Sequence, residues 1–504
     1  MKRILVFTIL IALMSIQSVS ASSFAVSPLT LISGPSPFSA CTDIGGLGNP
    51  PGTNYLNAEE EPWVAVNPTN PNNIIAVWQQ DRWSNGGARG LVTGVSHNGG
   101  ATWSQTFAHF SICSGGTVAN GGDFERASDP WVTFAPNGDA YQISLSASSD
   151  LLTSAILVSK STDGGDTWSE PTTLIRETTP FHFNDKESIT ADPTNANYVY
   201  AVWDRSRKPG ENASFSQLRS SAFRGDIMFS RTKDGGVSWD TPRSLLPTNA
   251  NKFTIGNQIV VLPDGTLVDV FGLGQGSGKQ GSLNPFTISL IRSADKGLTW
   301  SNVIDISLDQ AIGAVDPDTG RRIRAEGGIP EIAVAPNGNL YVVWQDSRFS
   351  GVDEIALSKS TDGGLTWSTP IKINQTPRNA TNALNQQAFV PNISVAADGT
   401  VAVTYYDFRN NDANPGVPTD YWIVHCHAAI SDCSNAANWG DEARLSSTSF
   451  DIEQAPAARG PFGFFLGEYQ GLTSIGNNFL PVFIQVNNGK PANRTDVFGT
   501  TTGP

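Results

Sequence analysis

Two sets of charged residues in this 504-residue chain have types and spacing suited to chemistry. The first is a series of carboxylates placed just ahead of alternating apolar stretches: Glu60 and Glu61, Asp129, Asp185 and Glu187, Glu326 and Glu331, and Glu468. Carboxylates brought together in pairs can cleave a glycosidic bond, one as acid and the other as base or nucleophile. The same oxygens could surround a hard cation such as Ca²⁺. Several could equally cap turns or pair with neighbours, as the adjacency of Lys186 and Glu187 suggests. The second set is an Asp followed closely by an Arg: Asp81 and Arg82, Asp204 and Arg205, Asp346 and Arg348, Asp407 and Arg409. Recurrence favours ion pairs that tie loops down. Arginines sharing one face would nevertheless bind an acidic sugar, and Arg126, Arg321, Arg322 and Arg324 add to the supply. Trp83 and Phe408, in the same loops, are expected to be exposed and able to stack on sugar rings.

The elements that must position these groups are repeated. An eight-residue phrase reads SHNGGATW at Ser96 to Trp103, STDGGDTW at Ser161 to Trp168 and TKDGGVSW at Thr232 to Trp239. It returns as SADKGLTW at Ser293 to Trp300 and STDGGLTW at Ser360 to Trp367, with a degenerate copy ending at Trp439. Its Asp can accept backbone N–H groups, its Gly can take positive φ and its Trp can cover an apolar interior, so it reads as a turn between outer strands. Equivalent aspartates in every repeat cannot converge on one point, which makes them structural.

Ahead of each copy run two β-rich stretches joined by a tight turn, such as PWVAVNPTNPNNIIAVW from Pro62 and PEIAVAPNGNLYVVW from Pro330. A further such pair, from Glu468, has no phrase after it. Repeats of this length predict an all-β, β-propeller fold of four-stranded antiparallel blades, seven in number with six as the alternative. Thr495 to Gly499 and the run from Val26 to Ile32 would close the ring by sharing the last blade. Ligands are then expected where the central channel opens, among the loops entering each innermost strand, with the phrases at the opposite face.

Lys2 and Arg3, the apolar run Ile4 to Ile16 and the small residues Val19-Ser20-Ala21 predict a signal peptide over 1–21, followed by one domain over 22–504. No later stretch is long and apolar enough to span a bilayer, so a secreted, extracellular or periplasmic protein without a membrane partner is expected. A net charge of −14 disfavours nucleic acid. Four cysteines in an exported chain predict two disulfides; sequence alone does not separate the three pairings, and Cys426 with Cys433, which lie close together, and Cys41 with Cys113 are favoured. With no CxxC pair and only five histidines, metal ligation by these cysteines is not expected; no metal site and no cofactor are assigned, with Ca²⁺ among the carboxylates as the alternative.

These phrases on propeller blades behind an export signal resemble the sialidase (neuraminidase) superfamily and its BNR-repeat, or Asp-box, relatives. The resemblance implies a glycosidase that uses three arginines on the substrate carboxylate, a tyrosine nucleophile assisted by a glutamate, and an aspartate acid/base. Asp81 lies where the aspartate would fall, and Tyr469 in GEYQGL is similar to the family's late tyrosine strand. The candidate catalytic residues are accordingly Asp81, Glu187 and Tyr469, and the candidate substrate-binding residues Arg82, Arg126, Arg205, Arg348 and Arg409. The family's Arg-Ile-Pro phrase on the first inner strand is replaced by Glu60-Glu61-Pro62-Trp63. That departure leaves open a non-catalytic propeller binding a glycan or protein, and a polysaccharide lyase on the same scaffold.

Overall fold

The computed structural model describes residues 24–42, 44, 52–207, 224–248, 252–275, 286–325, 327–458 and 463–503. The expected signal peptide and Glu326 lie outside them. Among the described residues the fold is all-β, with helical turns limited to short 3-10 segments such as Ile112–Ser114.

Successive stretches form antiparallel sheets in chain order, each with an inner strand followed by three more. The first holds Glu59–Val66, Ile74–Arg82, Ala88–Ser96 and Ser104–Thr106, and a bridge from Ala88 to Ala127 joins it to the next. The second holds Arg126–Phe134, Ala140–Ala147, Ser154–Ser161 and Thr172–Glu177. Later sheets open with the inner strands His182–Ala191, Lys252–Val261, Glu331–Val334 and Ala388–Val395. Gly471–Ile475 pairs with Asn478–Val486, which pairs with Thr495–Gly499, and that strand takes Thr30–Leu31 on its far edge. Each inner strand packs against the inner strand of the next sheet, and Gly471–Ile475 packs against Glu59–Val66.

The second strands are buried on both faces and read as near-continuous apolar runs. Trp78, Trp203 and Trp344 occupy equivalent positions in three of them and are fully buried. Each finds an acceptor for its indole N–H: Gln80 at 2.9 Å, Asn184 at 3.0 Å and Asp346 at 2.9 Å. Both expected disulfides are present, Cys41–Cys113 and Cys426–Cys433.

The repeated phrase folds the same way each time. The hydroxyls of Ser161, Thr232, Ser293 and Ser360 accept the N–H of the Gly four residues on, at 2.8 to 2.9 Å. Asp163, Asp234, Asp295 and Asp362 accept the N–H of the following Thr or Ser at 2.9 to 3.0 Å. Ser161 faces Ala140, which faces Phe134, so this turn lies at the end of the sheet away from Asp129.

At that other end the inner strands break register. The pairing slips between Glu60 and Trp63, between Ser128 and Trp131, and between Asp185 and Ser188. Within each slip one residue takes positive φ: Glu61 at 51°, Asp129 at 53° and Lys186 at 49°. Left-handed backbone in non-glycine residues costs on the order of 1–3 kcal/mol each, and the bulge re-aims the side chain. Three neighbouring inner strands thus direct charged side chains to one place.

Two long connections meet above this end. Residues 309–329 link the fourth sheet to the fifth, and residues 452–470 lead into Gly471–Ile475. Ile323 bridges to Phe464 in parallel, with the Arg324 N–H donating to the Phe464 carbonyl at 2.8 Å. Gly463, at φ 74°, is required there: a Cβ would fall 1.5 Å from the Arg322 carbonyl oxygen.

Candidate functional site

The bulges and the two long connections enclose a cleft of about 340 Å³. Its charged lining is Arg82, Arg126, Asp129, Asp185, Lys186 and Arg324, opposite an apolar wall that includes Leu145, Leu151 and Phe183.

Lys186 is the hub. Its buried ammonium lies 3.3 Å from Glu61 Oε1, 3.6 Å from Asp129 Oδ2 and 2.5 Å from Glu468 Oε2. Burial alone would lower the lysine, but Asp129, Glu468 and Glu61 outweigh it and hold the ammonium well above the usual range. The carboxylates respond unequally. Asp129 is buried, which raises it, yet Lys186 and a hydrogen bond from Ser128 at 2.8 Å bring it well below the usual range. Glu468 is likewise raised by burial and then pulled down to about 2 by Arg324 and Lys186. Glu61 is pushed up to about 7 by burial despite Lys186. Asp185 goes well above its ordinary value because of burial and the negative charge of Asp129. The cleft therefore offers one carboxyl held toward its protonated form, Asp185, and one held toward its ionised form, Asp129.

The basic wall is built differently from each strand. Arg82 ends the second strand of the first sheet, and its Nη1 donates to Gln79, whose amide in turn donates to Glu61. Among the described residues no carboxylate lies within ion-pair distance of Arg82. Arg324, from the first long connection, pairs with Glu468 at 3.1 Å. Both guanidiniums lie over the ring of Phe465, 4.7 Å and 4.5 Å from its centroid. Arg126 lies over Trp83 at 5.2 Å and donates to Asn85 at 2.9 Å. Burial and the charge of Arg82 lower Arg126 to about 10, still cationic at neutral pH.

Tyr469 sits beneath the cleft, packed at angles against Trp63 and Trp131, which stack with centroids 3.4 Å apart. Its hydroxyl donates to the Pro130 carbonyl at 3.2 Å. Burial, with Glu61 and Asp129 nearby, pushes the phenol well above its usual value, so the phenolate is disfavoured. Glu187 is buried beside it; one oxygen accepts the Leu145 N–H, and burial with Asp129 keeps the acid protonated.

Of the sequence candidates, Arg82 and Arg126 line the cleft, and Tyr469 and Glu187 lie beneath it. Asp81 turns away: it accepts from Ser36 at 2.6 Å and the Asn57 N–H at 2.8 Å, and pairs with Arg89 at 3.5 Å. Arg205 pairs with Glu177 at 2.5 Å, Arg348 with Asp346 at 2.7 Å and Arg409 with Asp407 at 2.6 Å, all outside the cleft lining. Trp83 and Phe408, expected to be exposed, are 5% and 0% exposed. Arg126 covers the first, and the second packs against Phe389 at 5.0 Å. Sequence reasoning missed Gln79 and Phe465. Gln79 stands before the Asp-Arg pair in a repeated phrase, which is a faint signal; Phe465 carried none. Among the described residues no group of three or more His, Cys, Asp or Glu side chains is arranged to hold a metal ion.

No helix of the described residues is long and apolar enough to cross a membrane. No family model matches the chain, and no curated protein matches it in sequence. Solved structures similar to it include a Dyadobacter fermentans DSM 18053 protein of unknown function, at 14% identity over 89% of this chain and 96% of that one, TM-score 0.46. Another is an alpha-L-arabinanase of Penicillium chrysogenum, at 13% identity over 94% and 98%, TM-score 0.46. A third is the NanB sialidase of Streptococcus pneumoniae, at 10% identity over 89% and 93%, TM-score 0.43. Sialidases, named above from the repeated phrases, are thus among the structures this chain is similar to, and the likeness is one of overall outline.

Proposed function

We propose that the chain is a secreted glycoside hydrolase of sialidase-like kind, built as a seven-bladed Asp-box propeller, that cleaves a glycan next to an acidic sugar in this cleft. The blade number is supported by the succession of inner strands, each packed on the next and the last on the first, and by the pairing of Thr30–Leu31 with Thr495–Gly499. Export is supported by the two disulfides.

The observation that carries the chemistry is that Asp185 and Asp129, on adjacent inner strands, both line the cleft, in surroundings that raise the first and depress the second. Groups whose surroundings drive their protonation apart are suited to acid and base roles. Asp185 would protonate the glycosidic oxygen as the bond to the anomeric carbon breaks. Asp129 would take a proton from the water whose oxygen joins that carbon, restoring both groups after proton exchange. Arg82, Arg126 and Arg324 would hold the acidic group of the sugar, and Leu145, Leu151 and Phe183 would cover its apolar face. Tyr469 and Glu187, among the candidates from sequence, support this floor from below.

The test is release of reducing sugar from uronate-containing polysaccharides and an α-sialoside reporter. Turnover lost in Asp185→Asn and Asp129→Asn supports the reading, and unchanged turnover in both defeats it. A second reading, a propeller that only binds its glycan, is favoured by the hydrogen-bonded, protonated Tyr469; binding without any product release would select it.

A further inference from the structure

Arg82 poses a physical problem. It is 4% exposed, and among the described residues no carboxylate is within ion-pair distance of it. A buried cation in that position is ordinarily paired, because desolvation is costly. Its available partners are a neutral amide oxygen, that of Gln79, and the face of Phe465 at 4.7 Å. Phe465 is 1% exposed and also carries Arg324 at 4.5 Å, so one ring serves two cations that repel each other.

A ring face stabilises a cation through its quadrupole, with no negative charge of its own. A carboxylate in the same place would cancel the charge. The two alternatives have opposite consequences for the cleft. An aromatic support leaves the positive charge available to an incoming anion, whereas an acidic support would use it up. Phe465 belongs to the second long connection and Arg324 to the first, so the ring also ties the guanidinium of the first sheet to the roof that crosses it.

We propose that Phe465 is the positioning residue of an anion subsite, its ring holding the Arg82 guanidinium at the cleft wall, beside the Glu468-paired Arg324, without neutralising Arg82, so that a carboxylate on the ligand completes the charge balance. The proposal rests on the acidic-sugar reading above and adds the residue that makes the subsite. Its occupant is a carboxylate-bearing sugar, and the contribution is to recognition of the anion and not to the bond-breaking step.

The experiment measures binding of D-glucuronate and of neutral D-glucose to the full-length protein by calorimetry at fixed ionic strength. Wild type is expected to prefer glucuronate. Phe465→Leu should weaken glucuronate by about tenfold while leaving glucose unchanged, and Phe465→Tyr, which keeps the ring, should restore the preference. Should the leucine variant fail to fold, Phe465→Met gives a side chain of similar volume without the ring. Preference that persists in Phe465→Leu or Phe465→Met overturns the proposal alone, and so does equal loss in Phe465→Tyr. A wild type that does not prefer glucuronate overturns the acidic-sugar reading, and the subsite with it.

Discussion

The two ends of the same sheets follow opposite rules. At one end, turn after turn repeats a single solution: a hydroxyl and an aspartate each accept one backbone N–H, and every copy is satisfied within itself. At the other end equivalent bulge positions carry Glu61, Asp129 and Lys186, and their charges are balanced across strands, not within one turn. The first pattern gives stability that is local and divisible. The second concentrates buried charge and backbone strain where three sheets meet, and a fold tolerates that only when neighbouring structure over-determines it. The same residue type, aspartate, is a turn fastener at one end and a charged group poised by its neighbours at the other.

The largest effects are expected at Asp185 and Asp129. Asparagine at either position should lower turnover on an acidic glycan by about 10²- to 10⁴-fold; Asp185→Asn should leave the thermal midpoint little changed, whereas Asp129→Asn also removes a partner of buried Lys186 and should lower it. The pH profile sharpens this. Asp185 must hold its proton, so activity falls as pH rises through its raised value; Asp129 must be ionised, so activity falls as pH drops through its depressed value. The expected profile is a bell whose acidic limb lies below the ordinary carboxylate range and whose alkaline limb lies above it.

Lys186→Met comes next. It leaves Glu61, Asp129 and Glu468 buried around an apolar side chain, and loss of about 3–5 kcal/mol is expected in denaturant titration at neutral pH. Asp129 and Glu468 are depressed in the folded state, so the stability they contribute is present above the ordinary carboxylate range and lost as pH falls through the depressed values. The difference between wild type and variant should therefore shrink in acid. A deficit independent of pH would mean that Lys186 acts through packing.

Gly463→Ala tests the roof. The Cβ has no room beside the Arg322 carbonyl, and the residue has positive φ. Binding of acidic ligands should weaken through displaced Arg324, with about 1–3 kcal/mol of stability lost. The smallest effect belongs to the repeated turns: Asp362→Ala should cost about 1 kcal/mol in thermal denaturation and leave turnover unaltered. A large change in turnover from a single turn would erase the distinction between the two ends.

The parts legible in the sequence are those that repeat or alternate. The burial of Trp78, Trp203 and Trp344 follows from the near-continuous apolar runs of the second strands, and the turns follow from Gly and Asp at fixed offsets. The number of cysteines made two disulfides legible and closeness favoured Cys426–Cys433, but the choice among three pairings was not settled by sequence. Arg82 and Arg126 were legible as candidates because they stand at strand ends. The roles of Lys186, Gln79 and Phe465 were not, since they depend on where bulges and long connections bring distant segments together. Lys186 reads as an ordinary neighbour of Glu187 until the left-handed backbone is known. Trp83 and Phe408 read as exposed because they follow strands, and they are buried because an arginine and an aromatic pack over them.

One consequence of the terminal pairing concerns time. Ser33 donates to Asp496 at 3.1 Å across 463 residues of chain, and Thr30–Leu31 finds its partner in Thr495–Gly499. During synthesis the early strand must wait, its edge open, until nearly all the chain has emerged. Contacts so distant in sequence form late and slowly. Refolding should show a final slow phase, reported by a probe at Leu31, after the tryptophans of the intervening sheets have reached their native signal. Until that phase ends, the open edge is where two chains would join by mistake.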